Sequence, residues 1–308
     1  MDSKNVISIF QNQEFDKILT NPILDISARV WEKDRYSAFK TCYKAMRVID
    51  DLVDNRKSTE NSNLESEEKL IETITTFAVP GKNLSDDLFQ EKLLEVVTEF
   101  KIPIWTWENF EKSMIYDVNN SGFKSFPVFL DYAEGAAIAP ASIFMHLCGI
   151  KKENDIYSEP EFNVKEAAKP LALFCYLVHI IRDFQKDMNN NLNYFAEDFL
   201  KENELDMQKL KGFANGEKIT PAFRNLIEKY YTLAEEYKKS ARKSIDNNLK
   251  YLQPQYQLSL ELIYELYLQI FERINIAEGC FSTTELNPSP IEIKKRINKT
   301  ISEFQPSI

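Results

Sequence analysis

Two short acidic runs hold the residues best suited to chemistry in this chain. Residues 43–54 read YKAMRVIDDLVD and end in Asp50 and Asp54, while residues 173–187 read LFCYLVHIIRDFQKD and end in Asp183 and Asp187. In each run the two aspartates stand four apart, a spacing that puts both carboxylates on one ridge of an α-helix. Like charges held that close repel unless a cation lies between them. Hard carboxylate oxygens suit Mg²⁺, which is usually shared with substrate phosphates. A solvated acidic face is the other reading, and spacing alone leaves both open.

The surroundings add weight to the first. The second pair closes residues 171–181, a run apolar almost all round, as in a buried central helix. Burying two carboxylates there beside Arg182 and Lys186 is costly without a ligand, so the site should hold metal, anion or both. His179 stands one turn before Asp183 and should face the same site. His146, the other histidine, lies in an apolar stretch and reads as a satisfied core residue.

The elements that must position these groups read as helices. Only seven glycines in 308 residues, with abundant Leu, Ile, Lys and Glu, predict an all-α chain, and no shift in composition divides residues 1–308 into two domains. After a turn or helix entry at Asn21-Pro22, residues 24–53 carry helical apolar spacing, and 55–67 form a polar connection. Ser85 should cap a helix through Phe100. Trp105, Trp107 and Phe110, beyond Pro103, read as core anchors. Residues 151–169 and 201–220 read as charged connections. Thr220 and Pro221 should open a helix to about Tyr251, Gln253-Pro254 break it, and residues 257–274 resume it. The tail from Asn287 reads as a peripheral helix.

A formal charge of −10, from 38 basic and 48 acidic residues, argues against nucleic-acid binding, which needs a concentrated basic surface. Cys42, Cys148, Cys175 and Cys280 are scattered with no C-x-x-C and read as small apolar residues in a reducing compartment. The N-terminus lacks the features of a signal peptide, and no apolar run reaches the roughly 18 residues needed to cross a bilayer. The expected location is therefore the cytoplasm.

The chain resembles the squalene/phytoene synthase family over about residues 21–281. Arg35, Ala38, Tyr43, Arg47 and the D-D-L-V-D of residues 50–54 match that family's first motif. HIIRDFQKD at residues 179–187, followed by Tyr194, matches the second, and DYAEGAAIAPASIFMHLCG at 131–149 resembles the segment between them, with Tyr132 and Gly149 in register. Met114 and Asp117 resemble a shorter family segment, G-M-x-x-D, too brief to count alone.

The resemblance implies an isoprenoid-synthase-type bundle of antiparallel helices around a central apolar cavity. It also implies a Mg²⁺-dependent prenyltransferase that condenses two prenyl diphosphates, farnesyl or geranylgeranyl, head-to-head to a squalene-, dehydrosqualene- or phytoene-like product. Asp50, Asp54, Asp183 and Asp187 would bind two or three Mg²⁺, and Tyr43 and Tyr132 would steady the carbocation. Arg35, Arg47, Asp51, Tyr176, His179, Arg182, Lys186 and Tyr194 would contact substrate. The small residues 136–141 would border the prenyl cavity, or else simply allow close helix packing. A squalene product would need NADPH; the chain has no G-x-G-x-x-G, but family members bind the nucleotide without it. A very greasy product would favour loose contact with a membrane surface.

Several diphosphate-contacting positions depart from the family pattern. Residues 20–24, TNPIL, replace a polar segment, Leu192 replaces an Arg, no Arg stands near Thr284, and Tyr176 and His179 replace a Gln and an Asn. If two diphosphates are used, Arg35, Lys40 and Lys44 are the nearest cations to serve the second. Two rival readings follow: a transferase or terpene cyclase using one prenyl diphosphate, and a catalytically silent family member acting as a binding or assembly protein.

Overall fold

The computed structural model describes residues 23–58, 64–82 and 88–307. The expectations for residues 20–22 and for a cap at Ser85 lie outside these. Among the described residues the chain is helical apart from loops and one two-stranded hairpin, β1 (Lys151–Glu153) with β2 (Ile156–Ser158).

The helix expected over 24–53 is two. α1 (Ile23–Ala28) ends in a turn, and α2 (Lys33–Ser58) begins after it. Trp31, in the turn, is buried against Phe39, Phe144 and Tyr256, and its Nε1 donates to Ser259 Oγ at 2.7 Å. Burial of one large ring thus fixes a bend that helical spacing does not reveal. α2 also runs past the expected connection at Asn55, so the first aspartates lie inside the helix rather than at its end.

α3 (Leu64–Phe77) and α4 (Leu88–Glu99) flank α2 and α5 (Ile104–Asn119). Trp107 and Phe110 are core anchors as expected, whereas Trp105 is half-buried under the Lys165 ammonium. α6 (Phe126–Ala133) passes through a π-helical turn (Glu134–Ile138) into α7 (Ala139–Gly149). This 24-residue stretch, 126–149, is long and apolar enough to cross a membrane by composition, which corrects the sequence reading. Its most apolar window is 56% buried within the protein, so the apolarity is satisfied by the core.

The hairpin and α8 (Val164–Asn189) fill what reads in sequence as a connection over 151–169. Asn163 caps α8 by accepting the Glu166 backbone N–H. Pro170 is accommodated within the helix near its start. The region 201–220 likewise holds the end of one short helix, α9 (Glu197–Glu202), and the whole of another, α10 (Met207–Ala214). Thr220 caps α11 (Pro221–Asn248) as its sequence predicts, and α12 (Pro254–Phe271) follows the expected break.

After α13 (Thr283–Leu286), the tail helix α14 (Pro290–Glu303) is better integrated than its sequence suggests. Ile293, Ile297 and Ile301 are buried against the bundle, and Arg296 pairs with Glu265 and Glu272 of the α12 region. The i, i+4, i+8 spacing of those isoleucines makes one apolar stripe, which docking onto α12 removes from water.

α8 is the centre of the arrangement. It packs most extensively on α11 and also touches α7, α10, α12 and α13. α2 packs on α4, α5 and α7, but shares at most a marginal contact with α8. The two aspartate helices therefore stand apart, with α7 packed on both of them.

Candidate active site

Both aspartate pairs point into the gap between α2 and α8. Asp54 of α2 is close enough to Asp187 of α8 to raise its pKa, and Asp50 raises that of Tyr176 on α8. Burial, with help from Asp54, Asp117 and Asp51, pushes the Asp50 carboxyl up to about 7 despite Arg47. Burial and Asp183, with Asp54, push Asp187 up to about 8 against Lys186 and Arg182. Asp183 moves oppositely. Burial would raise it, but His179 and Arg182 hold it well below the usual carboxylate range.

The cations lie beside these acids. Arg47, on the half-exposed rim, reaches Asp50 at 2.8 Å and Asp51 at 2.5 Å. Arg182 grips Asp183 with Nε at 2.6 Å and Nη2 at 2.9 Å, and His179 Nε2 lies 2.9 Å from the same carboxylate. Lys186 is exposed, and its charge is felt at Asp187 and His179. His146 is a core residue as expected, its Nε2 2.8 Å from the Phe100 carbonyl.

Behind the carboxylates is a wall of aromatic rings. Tyr132 is 5% exposed and donates its hydroxyl to Asp117 at 2.7 Å. Tyr176 stacks on Phe129 with centroids 5.4 Å apart and meets Tyr194 edge-on at 6.5 Å. Phe123 packs on Tyr132 at 5.0 Å. Tyr43 is half-buried beside Phe39, its hydroxyl pushed up to about 12 by burial. Buried phenols with raised pKa values remain neutral hydroxyls at physiological pH.

Two local devices build this wall. Asn191 takes a left-handed conformation (φ 59°), a geometry Asn tolerates, and the Leu192 N–H returns to the Asp187 carbonyl at 2.8 Å. That capping turn ends α8 and sends Tyr194 back toward the acids. Gly135, in the π-turn, lies so close to α5 that a Cβ there would be 2.0 Å from the Asn109 carbonyl oxygen and 2.3 Å from Ser113 Oγ. Ser113 donates to the Tyr132 carbonyl at 2.7 Å, so the same close approach registers Tyr132 on Asp117.

Arg35 is not part of the site. It is 5% exposed and donates to the carbonyls of Leu147, at 2.8 Å, and Ile150, at 3.2 Å, with its guanidinium 4.4 Å from the Tyr256 ring centroid. It closes the end of α7, fifteen residues before Asp50, or roughly 22 Å along the helix at 1.5 Å per residue. Lys40 and Lys44 turn onto the Tyr36 and Phe89 rings, at 4.5 and 5.2 Å. The cations that the sequence offers for a second diphosphate are therefore occupied elsewhere or directed at neighbouring rings.

Asp117 is the residue that sequence reasoning undervalued. It is buried, bound to Tyr132 and electrostatically coupled to Asp50, Tyr176 and Tyr194. The available signal was an acid three residues after Met114 within an otherwise apolar helix face. The stretch 136–141 is divided: Ile138 and Ala139 are buried in helix packing, while Ala136, Ala137 and Ala141 are half-buried. Two surface clefts, of about 370 and 620 Å³, lie at the α8–α11 ends and around residues 203–222, away from the aspartates.

The donor set suits a hard divalent cation: neighbouring carboxylates that are partly buried and repel one another. Among the described residues, no group of three His, Cys, Asp or Glu is already gathered at ligand spacing.

This mutual repulsion has a pH signature. Folded Asp50 and Asp187 keep protons up to about 7 and 8, whereas unfolded they release them near 3.8. Between those limits the folded state binds more protons, so in chelator these two groups make stability fall as pH rises. The expected result is a melting temperature whose decline from about pH 5 to 8 is shallower in Asp187→Asn than in the parent protein, and shallower in the parent with Mg²⁺ than with EDTA. Equal slopes would mean the carboxylates are not coupled in this way.

An all-helical bundle with aspartates facing one another across a tyrosine-lined gap is the fold of the isoprenoid synthases. It is similar to a dehydrosqualene synthase solved with a ligand, at a TM-score of 0.67 and 13% identity over 94% of this chain and 95% of that one. It is also similar to the squalene synthase HpnC from Alicyclobacillus acidocaldarius, at a TM-score of 0.52 and 10% identity over 77% and 93%. A squalene/phytoene synthase family profile matches residues 26–289, and the chain belongs to that family. No curated protein matches it in sequence.

Proposed function

We propose that the protein is a Mg²⁺-dependent prenyltransferase that ionises one prenyl diphosphate in the gap between α2 and α8 and joins the cation head-to-head to a second. The observation that carries this reading is the convergence of Asp50 and Asp54 with Asp183 and Asp187 across that gap, where burial and repulsion favour a bound cation. Bound there, Mg²⁺ would neutralise the carboxylates and the charge developing on the departing diphosphate. Asp50, Asp54 and Asp187 would hold it, joined by Asp183.

The chain's own groups supply the rest. Arg47, Arg182 and Lys186 orient the diphosphate by charge-assisted hydrogen bonds. Tyr43, Tyr132, Tyr176 and Tyr194 present neutral rings to the allylic cation, whose charge the π-faces stabilise, and exclude water. Asp117 fixes the Tyr132 hydroxyl by accepting its hydrogen bond.

A second reading uses one diphosphate only, with another alkene as nucleophile. It is favoured by Arg35, the cation nearest in motif to an acceptor contact, being committed to backbone carbonyls. The two separate on product size. Incubation with farnesyl or geranylgeranyl diphosphate alone and Mg²⁺ is expected to give a hydrocarbon or cyclopropyl diphosphate of doubled carbon number, detected by mass spectrometry. Alcohols or cyclised products of unchanged carbon number would establish the single-diphosphate reaction, and no release of diphosphate would leave a binding protein.

A further inference from the structure

Both oxygens of Asp183 are engaged. Its side chain is 9% exposed, Arg182 Nε and Nη2 take its two oxygens at 2.6 and 2.9 Å, and His179 stands 2.9 Å from Oδ2. Asp187, one turn along, has no salt-bridge partner of its own among the described residues, although both belong to one ridge of α8. A carboxylate whose two oxygens are filled by a guanidinium fork has little capacity left for a metal ion.

We infer that Arg182 is a latch on Asp183: it occupies this ligand in the free protein and yields it when a diphosphate draws the guanidinium away. The fork of Arg matches a diphosphate oxygen pair as well as it matches a carboxylate, so the two anions compete for one group. Because a diphosphate carries more charge and arrives with its own cations, its binding shifts the competition. The full set of carboxylates then forms only around substrate, an instance of binding energy assembling the site. Thermodynamic reciprocity follows: the factor by which diphosphate strengthens metal binding is the factor by which metal strengthens diphosphate binding. Arg182 is in this respect a positioning residue, acting on metal through Asp183.

The inference rests on the metal-assisted reading above, and its test separates the two. Mn²⁺ is titrated into the full chain without any diphosphate, free Mn²⁺ being counted by electron paramagnetic resonance, and the fold of each variant checked by circular dichroism. Arg182→Gln is expected to bind Mn²⁺ at least about fivefold more tightly than the parent, equivalent to roughly 1 kcal/mol of coupling. Arg182→Lys, which keeps the charge but loses the fork, should show a smaller gain in the same direction.

In the Asp183→Asn background the gain from Arg182→Gln should vanish, because the ligand it releases is gone; a general effect of removing one positive charge would persist there. Equal Mn²⁺ affinity in parent and Arg182→Gln, or a gain that survives in Asp183→Asn, overturns the latch and leaves the metal site standing. Failure of every variant to bind Mn²⁺ at millimolar concentration without diphosphate overturns the latch, and failure that persists when inorganic diphosphate is added overturns the metal reading as well.

Discussion

Replacing Asp50 by Asn is expected to reduce diphosphate release by about a hundredfold to a thousandfold, the cost of losing one preorganised group that stabilises transition-state charge. The same change should leave the melting temperature in EDTA unchanged or higher. Asp50 is held near 7 by burial and by Asp54, so an uncharged amide relieves a repulsion that the folded state otherwise bears. Asp183→Asn should be as inactive but less stable, because it strands the buried Arg182 guanidinium without its partner. Turnover within tenfold of the parent in both variants would reduce the carboxylates to an acidic face. Opposite stability effects with shared inactivity are the combination this site requires.

The second large effect is on the fold. Gly135→Ala should destabilise the protein by about 3 kcal/mol, at the upper end of the cost of overpacking. The added methyl meets the Asn109 carbonyl oxygen at 2.0 Å, and backbone cannot rotate aside as a side chain can. Relief requires α5 and the π-turn to separate, breaking the Ser113 bond to the Tyr132 carbonyl and moving Tyr132 relative to Asp117. Ala137→Gly, two residues away in the same turn, should cost no more than about 1 kcal/mol, the ordinary helical penalty of glycine. Similar melting temperatures for the two variants would show that the close approach can be relaxed cheaply.

Sequence by itself determined the helical class and the chemistry available to the site. Seven glycines and long helical apolar runs leave little alternative to a bundle, and the Asp-x-x-x-Asp spacing fixes two carboxylate ridges because helical geometry is local. Thr220-Pro221 and Gln253-Pro254 marked their helix ends for the same reason: a cap and a proline act on the neighbouring turn.

Tertiary structure decided what each charge is for. Arg35 and Arg182 are both arginines within resembling motifs, yet one is committed to the carbonyls that end α7 and the other to a carboxylate in the gap. Nothing within a few residues of Arg35 announces its partners, which come from 112 and 115 positions away. The same holds for Asp117, whose value depends on Tyr132 and Asp50 arriving from other helices, and for Gly135, whose necessity arises from Asn109 across the packing. Helical spacing reports which side chains share a face. Which faces meet is set by burial and close packing between segments far apart in the chain, and there the carboxylates acquire their different charge states.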